Sequence, residues 1–312
     1  MALLRALVEL GGPNAGRLFV GHFDHHLRGE ASHEDAAFVA ELSQRLAIPC
    51  EIGRPNKPLR GGTGHVAEAV ARRARYAFLE ELAGRLGARF VATAHTADDQ
   101  AETILHRILR GTGLAGLAGI PRTRPLGPAT LIRPLLAVRR TQILNYLEAI
   151  GQDYRRDASN ENLAYTRNRL RHELLPWAAE HVNPDAVEAV VRLGHLAAES
   201  RAAVADVVKA LLERTVVEHS DKAAEIDAAA LASHPRYLVR EVLMALWRQM
   251  DWPRRAMGYR EWDALATLLR SAGAGEPSSG PARVFPGGVS ARCMGGRLRL
   301  ERRLRRNPGR GG

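Results

Sequence analysis

The stretch "VATAHTADDQAET", residues 91–103, gathers His95, Asp98, Asp99 and Glu102 where an apolar run gives way to a polar, helix-forming one. Asp98 and Glu102 are one helical turn apart, so two carboxylates could face one site. Carboxylates there could hold a hydrated Mg2+ on a nucleotide or grip an ammonium group. His95 adds an imidazole that titrates near neutrality or donates to a phosphate oxygen. The alternative is structural: acids in a first helical turn complement the helix dipole, each by ~0.3–1 kcal/mol.

Other candidates are spread along the chain. "GHFDHHLRGE" sets His22, Asp24, His25 and His26 at a strand end, with a spacing that fits neither HExxH nor a recognised zinc pattern. They read as polar groups lining a nucleotide cleft, with Asp24 at the strand tip the best placed. "ARRARY" puts Arg72 and Arg75 on one helix face beside Tyr76, which a solvated basic face would also explain. "RDASNENLAYTRNRLRHELLP" supplies turn and cap formers in Asp157, Ser159, Asn160 and Asn162. Arg167, Asn168, Arg169 and Arg171 follow, a density of forks suited to phosphate and base-edge contacts in RNA. "LRGTGLAGLAGIP" carries Arg110, Gly111, Gly113, Gly116 and Gly119, a loop an anion could approach or a plain connector.

The elements that must position these residues alternate. A short strand at Leu18–Val20 precedes a helix from Ser32 whose apolar face is Phe38, Val39, Leu42 and Leu46. "PCEIGR" is a second strand, "HVAEAVARRARYAFLEELAGRLG" a long helix, "ARFVATAH" a strand and "TADDQAETILHRILRG" a helix again. One more strand and helix follow in "LIRPLLAVRRTQILNYLEAIG". Alternation at this spacing predicts α/β structure on a doubly wound parallel sheet, with ligands at the strand ends. Beyond Pro184 the pattern turns helical to about Leu212 and again over 237–250 and 259–270. It closes in an alternating strand–turn–strand pattern around Gly287-Gly288 and Gly295-Gly296. Two domains are expected, an α/β domain over 1–180 and a smaller, mainly helical domain over 186–312 ending in a short β-hairpin.

Composition narrows the class. An apolar fraction of 46% with 25% charged residues is that of an ordinary globular chain. Lys plus Arg exceed Asp plus Glu by 45 to 34, and the arginine-rich ending Arg292–Arg310 could track an RNA backbone. The two cysteines, Cys50 and Cys293, form no CxxC, which argues against a disulfide scaffold, a zinc finger or an iron–sulfur cluster. Neither a signal peptide nor a bilayer-spanning run is evident, so a cytoplasmic protein without a membrane partner is expected.

Taken in order, "HFDHHLRGEASHEDAAFV", "ARRARYAFLEELA", "ATAHTADDQAETILHRILRGTGLAGLAGI", "LIRPLL" and "DASNENLAYTRNRLRHELLP" resemble the bacterial tRNA(Ile)-lysidine synthetases of the PP-loop ATP pyrophosphatase group. The resemblance covers most of residues 1–180; the C-terminal part resembles the family's shorter appended domain more loosely. It implies a Rossmann-like fold and a two-step reaction. ATP adenylates C2 of the wobble cytidine in a CAU anticodon of tRNA(Ile), and the ε-amine of free lysine then displaces AMP. It further implies catalytic roles for His95, Asp98, Asp99 and Arg75, and ATP contacts from Asp24, His95, Arg110, Gly111 and Gly113. Lysine or tRNA would meet Arg72, Arg75, Asp99, Glu102, Arg167, Asn168 and Arg169, and Asp98 and Asp99 would hold Mg2+. A homodimer is also expected. A thiolating relative of the same superfamily would need cysteine pairs that this sequence lacks. In the family a strand and an SGGxDS loop precede a helix of the form "MALLxAL", and the sequence opens on "MALLRAL". The resemblance therefore implies a sheet without its first strand and weak ATP binding. Met1 is then either an internal residue, or the chain is a truncated, catalytically inactive tRNA-binding protein of the same family.

Overall fold

The computed structural model describes residues 1–11, 17–25, 30–55, 65–155, 162–274 and 281–302. Asp157, Ser159, Asn160, His26 and the tail beyond Arg302 lie outside the described residues. Contacts divide the chain into two units, Met1–Ala198 and Glu199–Gly312.

In the first unit, α1 (Ala2–Gly11) precedes β1 (Val20–Phe23), α2 (Glu30–Arg45), β2 (Cys50–Gly53) and α3 (His65–Leu86). Then come β3 (Phe90–Ala92), α4 (Ala97–Leu109), the single turn α5 (Leu114–Leu117), β4 (Thr123–Leu126), β5 (Ala129–Ile132) and α6 (Arg140–Ala149). β1 and β2 pair in parallel from Val20↔Cys50 to Phe23↔Gly53, and β3 pairs in parallel with β5 from Phe90↔Thr130 to Ala92↔Ile132. The parallel α/β arrangement expected from the sequence is present, and it consists of two ladders. Among the described residues none joins β1–β2 to β3–β5–β4. The first strand lies later than its apolar run: Leu18 and Phe19 precede it, and the ladder with β2 runs from Val20 through Gly21 and His22 to Phe23.

Helix α3 packs on β1, β3 and β5 and so lies over both ladders. Its approach is close: a Cβ at Gly53 would sit 2.5 Å from the Phe78 ring. Strand β4, antiparallel to β5, was not evident in the sequence, because Pro125 and the Gly127-Pro128 turn read as loop. Behind α4, Ala101 packs with Leu175 and Val187.

The chain continues through α7 (Thr166–Arg169), a π-helical turn at Leu170–Leu174, α8 (Leu175–His181) and α9 (Ala186–Thr215). Pro176 accounts for the π turn. A proline in a helix clashes with the carbonyl four residues back, and here the Leu175 N–H bonds Leu170 O, one residue further than an α-helix allows.

In the second unit β6 (Val216–His219) and β7 (Ala223–Asp227) lead into α10 (Ala228–Ala232), α11 (Arg236–Gln249) and α12 (Tyr259–Gly273). β8 (Arg283–Phe285), β9 (Val289–Met294) and β10 (Arg297–Arg302) close it. The expected hairpin is β9–β10. Its turn residues Gly295 and Gly296 have φ of 55° and 76°, the left-handed pair a two-residue hairpin turn needs. The hairpin is part of a larger structure than its alternation suggested, a five-stranded antiparallel sheet in the order β6-β7-β10-β9-β8. One apolar core unites that sheet's inner face with α11 and α12. Trp247 sits edge-on to Trp252 and Trp262, with centroids 5.0 and 5.3 Å away.

Candidate active site

The site forms where β3 gives way to α4. Thr96 is the N-cap, with extended φ and ψ of −110° and 175°. Its hydroxyl accepts from the Asp99 N–H at 3.2 Å. Asp99 Oδ2 in return accepts from the Thr96 N–H at 2.8 Å and from its hydroxyl at 3.0 Å. This reciprocal box satisfies the orphan donors of the first turn and locks the Asp99 carboxylate beside His95.

The free edge of that carboxylate meets two arginines. Asp99 Oδ1 accepts from Arg167 Nη2 at 3.1 Å and from Arg171 Nη2 at 3.3 Å. One turn along, Glu102 is fully buried and accepts from Arg167 Nε at 2.7 Å through Oε2 and from Arg171 Nε at 2.5 Å through Oε1. Each guanidinium thus bridges both carboxylates, a charge-assisted geometry stronger than a neutral hydrogen bond. Arg171 is a full partner that the sequence offers no reason to prefer over Arg169. Spacing put both among the forks, and only the helix through the π turn shows which face they occupy. Arg169 turns away, its Nη2 at 3.4 Å from the Thr166 hydroxyl, and Asn168 is buried and donates to Asn162 O at 2.9 Å.

Asp98 takes a different direction. Its Oδ2 accepts from the Arg140 N–H at 2.6 Å at the start of α6, and its Oδ1 accepts from Arg139 Nε at 3.2 Å. Arg139 also pairs with Glu188. The carboxylates that share a site are therefore Asp99 and Glu102, whereas Asp98 and Glu102 diverge. Asp98 anchors the N-terminus of α6, where negative charge is favoured.

His95 is half-buried, with Nδ1 3.1 Å from the Thr93 hydroxyl. Burial holds its pKa down to about 4, Arg133, Arg72 and Arg167 push the same way, and Asp99 opposes them. At neutral pH it is a neutral imidazole, able to accept a hydrogen bond and orient a donor. Arg72 and Arg75 lie against the Tyr76 ring at 5.2 and 5.6 Å.

Elsewhere, Asp24 is buried at the end of β1, 3.6 Å from His33 Nδ1 and 3.7 Å from Arg54 Nε. Burial likewise lowers the pKa of His22, against Asp24 and Asp35. Arg110, Gly111 and Gly113 stand at the opposite end of α4 from His95. Thirteen residues at ~1.5 Å each put that end about 20 Å away. The structure does not bring them to the His95 site, and Arg110 and Gly111 line an open groove with His106 and Arg107.

A PP-loop domain model matches residues 1–178. The tRNA(Ile)-lysidine synthase of Thermosynechococcus vestitus is 33% identical over 97% of this chain and 83% of its own length. The chain belongs to the tRNA(Ile)-lysidine synthase family. That of Rhodopirellula baltica is 37% identical over 81% of this chain and 68% of its own, and that of Geobacter sulfurreducens 40% over 78% and 51%. The chain spans about half the length of several curated family members it matches. Among solved structures, a U34-tRNA thiolase of Methanococcus maripaludis with its [4Fe-4S] cluster aligns with a TM-score of 0.53 at 16% identity. It covers 63% of this chain and 67% of that one, a likeness of fold. Among the described residues, no helix is long and apolar enough to cross a membrane, and neither Cys50 nor Cys293 is in a disulfide.

Proposed function

We propose that this protein attaches free lysine to C2 of the wobble cytidine in a CAU anticodon of tRNA(Ile), in the cytoplasm, using ATP to activate the base. Family membership supports an ATP-dependent ligase acting on tRNA, and the carrying observation is the four-residue clamp of Asp99, Glu102, Arg167 and Arg171 beside a neutral His95. Asp99 is the carboxylate a lysine ammonium would meet. Both of its oxygens are engaged, so the ammonium must replace one guanidinium, and Arg167, the more exposed of the two, is the one to exchange. Arg167 then becomes available to a phosphate on the tRNA or the adenylate. Glu102, with each oxygen on an Nε, holds both arginines in reach. His95, held neutral beside Asp99, is placed to accept a hydrogen bond from the lysine amine and so to orient it for attack.

The residues fit a resident Mg2+ poorly. Asp98 and Asp99 aim apart and are both held by arginines, and among the described residues no trio of His, Cys, Asp or Glu gathers. The proposed steps therefore use the chain's own groups.

The test is ATP-dependent incorporation of radiolabelled lysine into tRNA(Ile) carrying a CAU anticodon, by the full product of the gene. Asp99→Asn is expected to lower incorporation by about 100-fold or more, as loss of a charged partner does in the transition state, while tRNA binding persists. Full incorporation by the variant would remove Asp99 from the site. No incorporation by the unaltered protein would overturn the activity itself.

A further inference from the structure

Arg133 follows the last residue of β5 and is buried, 3% exposed. It donates from Nη1 to Pro121 O at 2.6 Å, while its Nε has no acceptor. Its guanidinium lies near the hydroxyl of Tyr76, which is buried and, among the described residues, has no hydrogen-bond partner of its own. Around the ring of that tyrosine stand three further guanidiniums. Arg124 on β4 lies 4.7 Å from the centroid, Arg72 5.2 Å and Arg75 5.6 Å, the last two on α3. Among the described residues, no ion pair joins Arg72, Arg124 or Arg133 to a carboxylate.

The contrast with the clamp is chemical. There, two arginines are matched by two carboxylates; here Arg72 and Arg124 stand over one aromatic ring and Arg133 lies beside its hydroxyl end. Stacking on the ring offsets part of their mutual repulsion but neutralises no charge. A buried guanidinium with an idle N–H and no counter-charge is costly unless an anion completes it. Arg72 is exposed and Arg75 and Arg124 are partly so, which leaves the cluster open to a ligand on one side.

We propose that Arg133, Arg124 and Arg72 around Tyr76 form an anion site that takes a phosphate group. Planar forks converging from a strand, a strand end and a helix suit the tetrahedral oxygens of phosphate. Arg72 and Arg133 both help hold the His95 pKa down, so an anion that offsets their charge would raise it. Two sources carry that chemistry, the phosphates of a nucleotide or its pyrophosphate product, and the backbone phosphodiester of an RNA. The site requires a phosphate-bearing ligand but not lysine transfer, so it stands apart from the ligation reading.

The test measures binding of sodium pyrophosphate, ATP and a short RNA hairpin by titration calorimetry across a salt series. The proteins are the unaltered chain, Arg124→Gln and Arg133→Gln, with folding checked by circular dichroism. Arg124→Gln is expected to weaken one class of probe by about tenfold. Loss confined to ATP and pyrophosphate assigns the site to a nucleotide phosphate. Loss on the hairpin, with a log–log salt slope shallower by about one, assigns it to the RNA backbone. Affinity for all three probes unchanged in Arg124→Gln overturns the site, whatever Arg133→Gln does to the fold, and so does failure of every probe to bind the unaltered chain. A protein that binds phosphate here yet transfers no lysine would overturn the ligation reading and leave this one standing.

Discussion

The two units of the chain hold themselves together by different means. In the second, a sheet and two helices enclose one continuous apolar core in which Trp247, Leu243, Leu246, Leu265, Leu269, Leu298 and Leu300 are wholly buried. In the first, buried apolar groups come in small clusters such as Tyr76, Leu126 and Leu131. Asp24, Gln100, Glu102, Arg133 and Asn168 are all buried in that first unit, where the second buries Thr215. Apolar burial stabilises by about 25 cal/mol per Å2, whereas a buried ion pair roughly breaks even once desolvation is counted. The first unit thus keeps charges in place at the end of β3 where the second keeps apolar area.

Removing one side chain from each kind of core tests that difference most strongly. Trp247→Ala deletes the ring on which Trp252 and Trp262 pack, and should destabilise the second unit by about 3–5 kcal/mol. In denaturant titration with separate probes for each unit, the second unit's transition should move and the first unit's should not. Glu102→Ala deletes the wholly buried carboxylate between two arginines and should cost the first unit about 2–4 kcal/mol, because the guanidiniums lose their counter-charge. A double variant with Arg171→Leu should recover part of that loss. If Glu102→Ala costs less than about 1 kcal/mol, the clamp is not what orders this region.

Acid should separate the units next. The unfolded chain takes a proton on His95 near pH 6.5, and the folded chain only near 4. Acidification across that window favours the unfolded state, so the first unit should lose stability as pH falls from 6.5 to 4. In the second unit Asp263 is held at about 2, chiefly by its hydrogen bond from Arg236 with help from Arg240. Its contribution is complete above 3.8 and lost only as pH falls toward 2. Thermal melts at pH 6.5, 5 and 4 should therefore lower the first transition before the second, and His95→Gln should flatten the first. A His95 imidazole that titrates at 6.5 by NMR would remove this asymmetry.

What the sequence disclosed follows the same division. The switch from "ARFVATAH" to "TADDQAET" is legible because an apolar strand, a cap and a helical period occur within a few residues, and that switch positions His95 and Asp99. Partnerships between distant segments are not legible. Arg171 meets Glu102 from a π turn 69 residues further along the chain, and Arg133 in "LIRPLL" reads as the end of a core strand until Tyr76 is seen near it. In the second unit the pair Gly295-Gly296 announces β9–β10. The short, charge-bearing strands β6 and β7 carry little periodicity of their own and acquire strand form from the ladder with β10.

The smallest contrast lies in two helix caps. Thr96 accepts from the Asp99 N–H at the start of α4, and Asp227 accepts from the Ala230 N–H at 2.9 Å at the start of α10. Replacing either by alanine should cost about 1 kcal/mol, since each change orphans one backbone donor. The consequences should then part. Thr96→Ala also takes away the hydroxyl that bonds Asp99 Oδ2 at 3.0 Å, leaving that oxygen with the backbone N–H alone. The carboxylate is then freer to turn, so lysine should be held less well: KM for lysine should rise a few-fold with kcat little changed, while Asp227→Ala leaves both constants alone. Thr96→Ser, which restores the hydroxyl, should restore KM. Equal lysine kinetics in Thr96→Ala and Asp227→Ala would reduce the capping box of α4 to a helix end like any other. A rise confined to Thr96→Ala would show the cap holding Asp99 for the substrate.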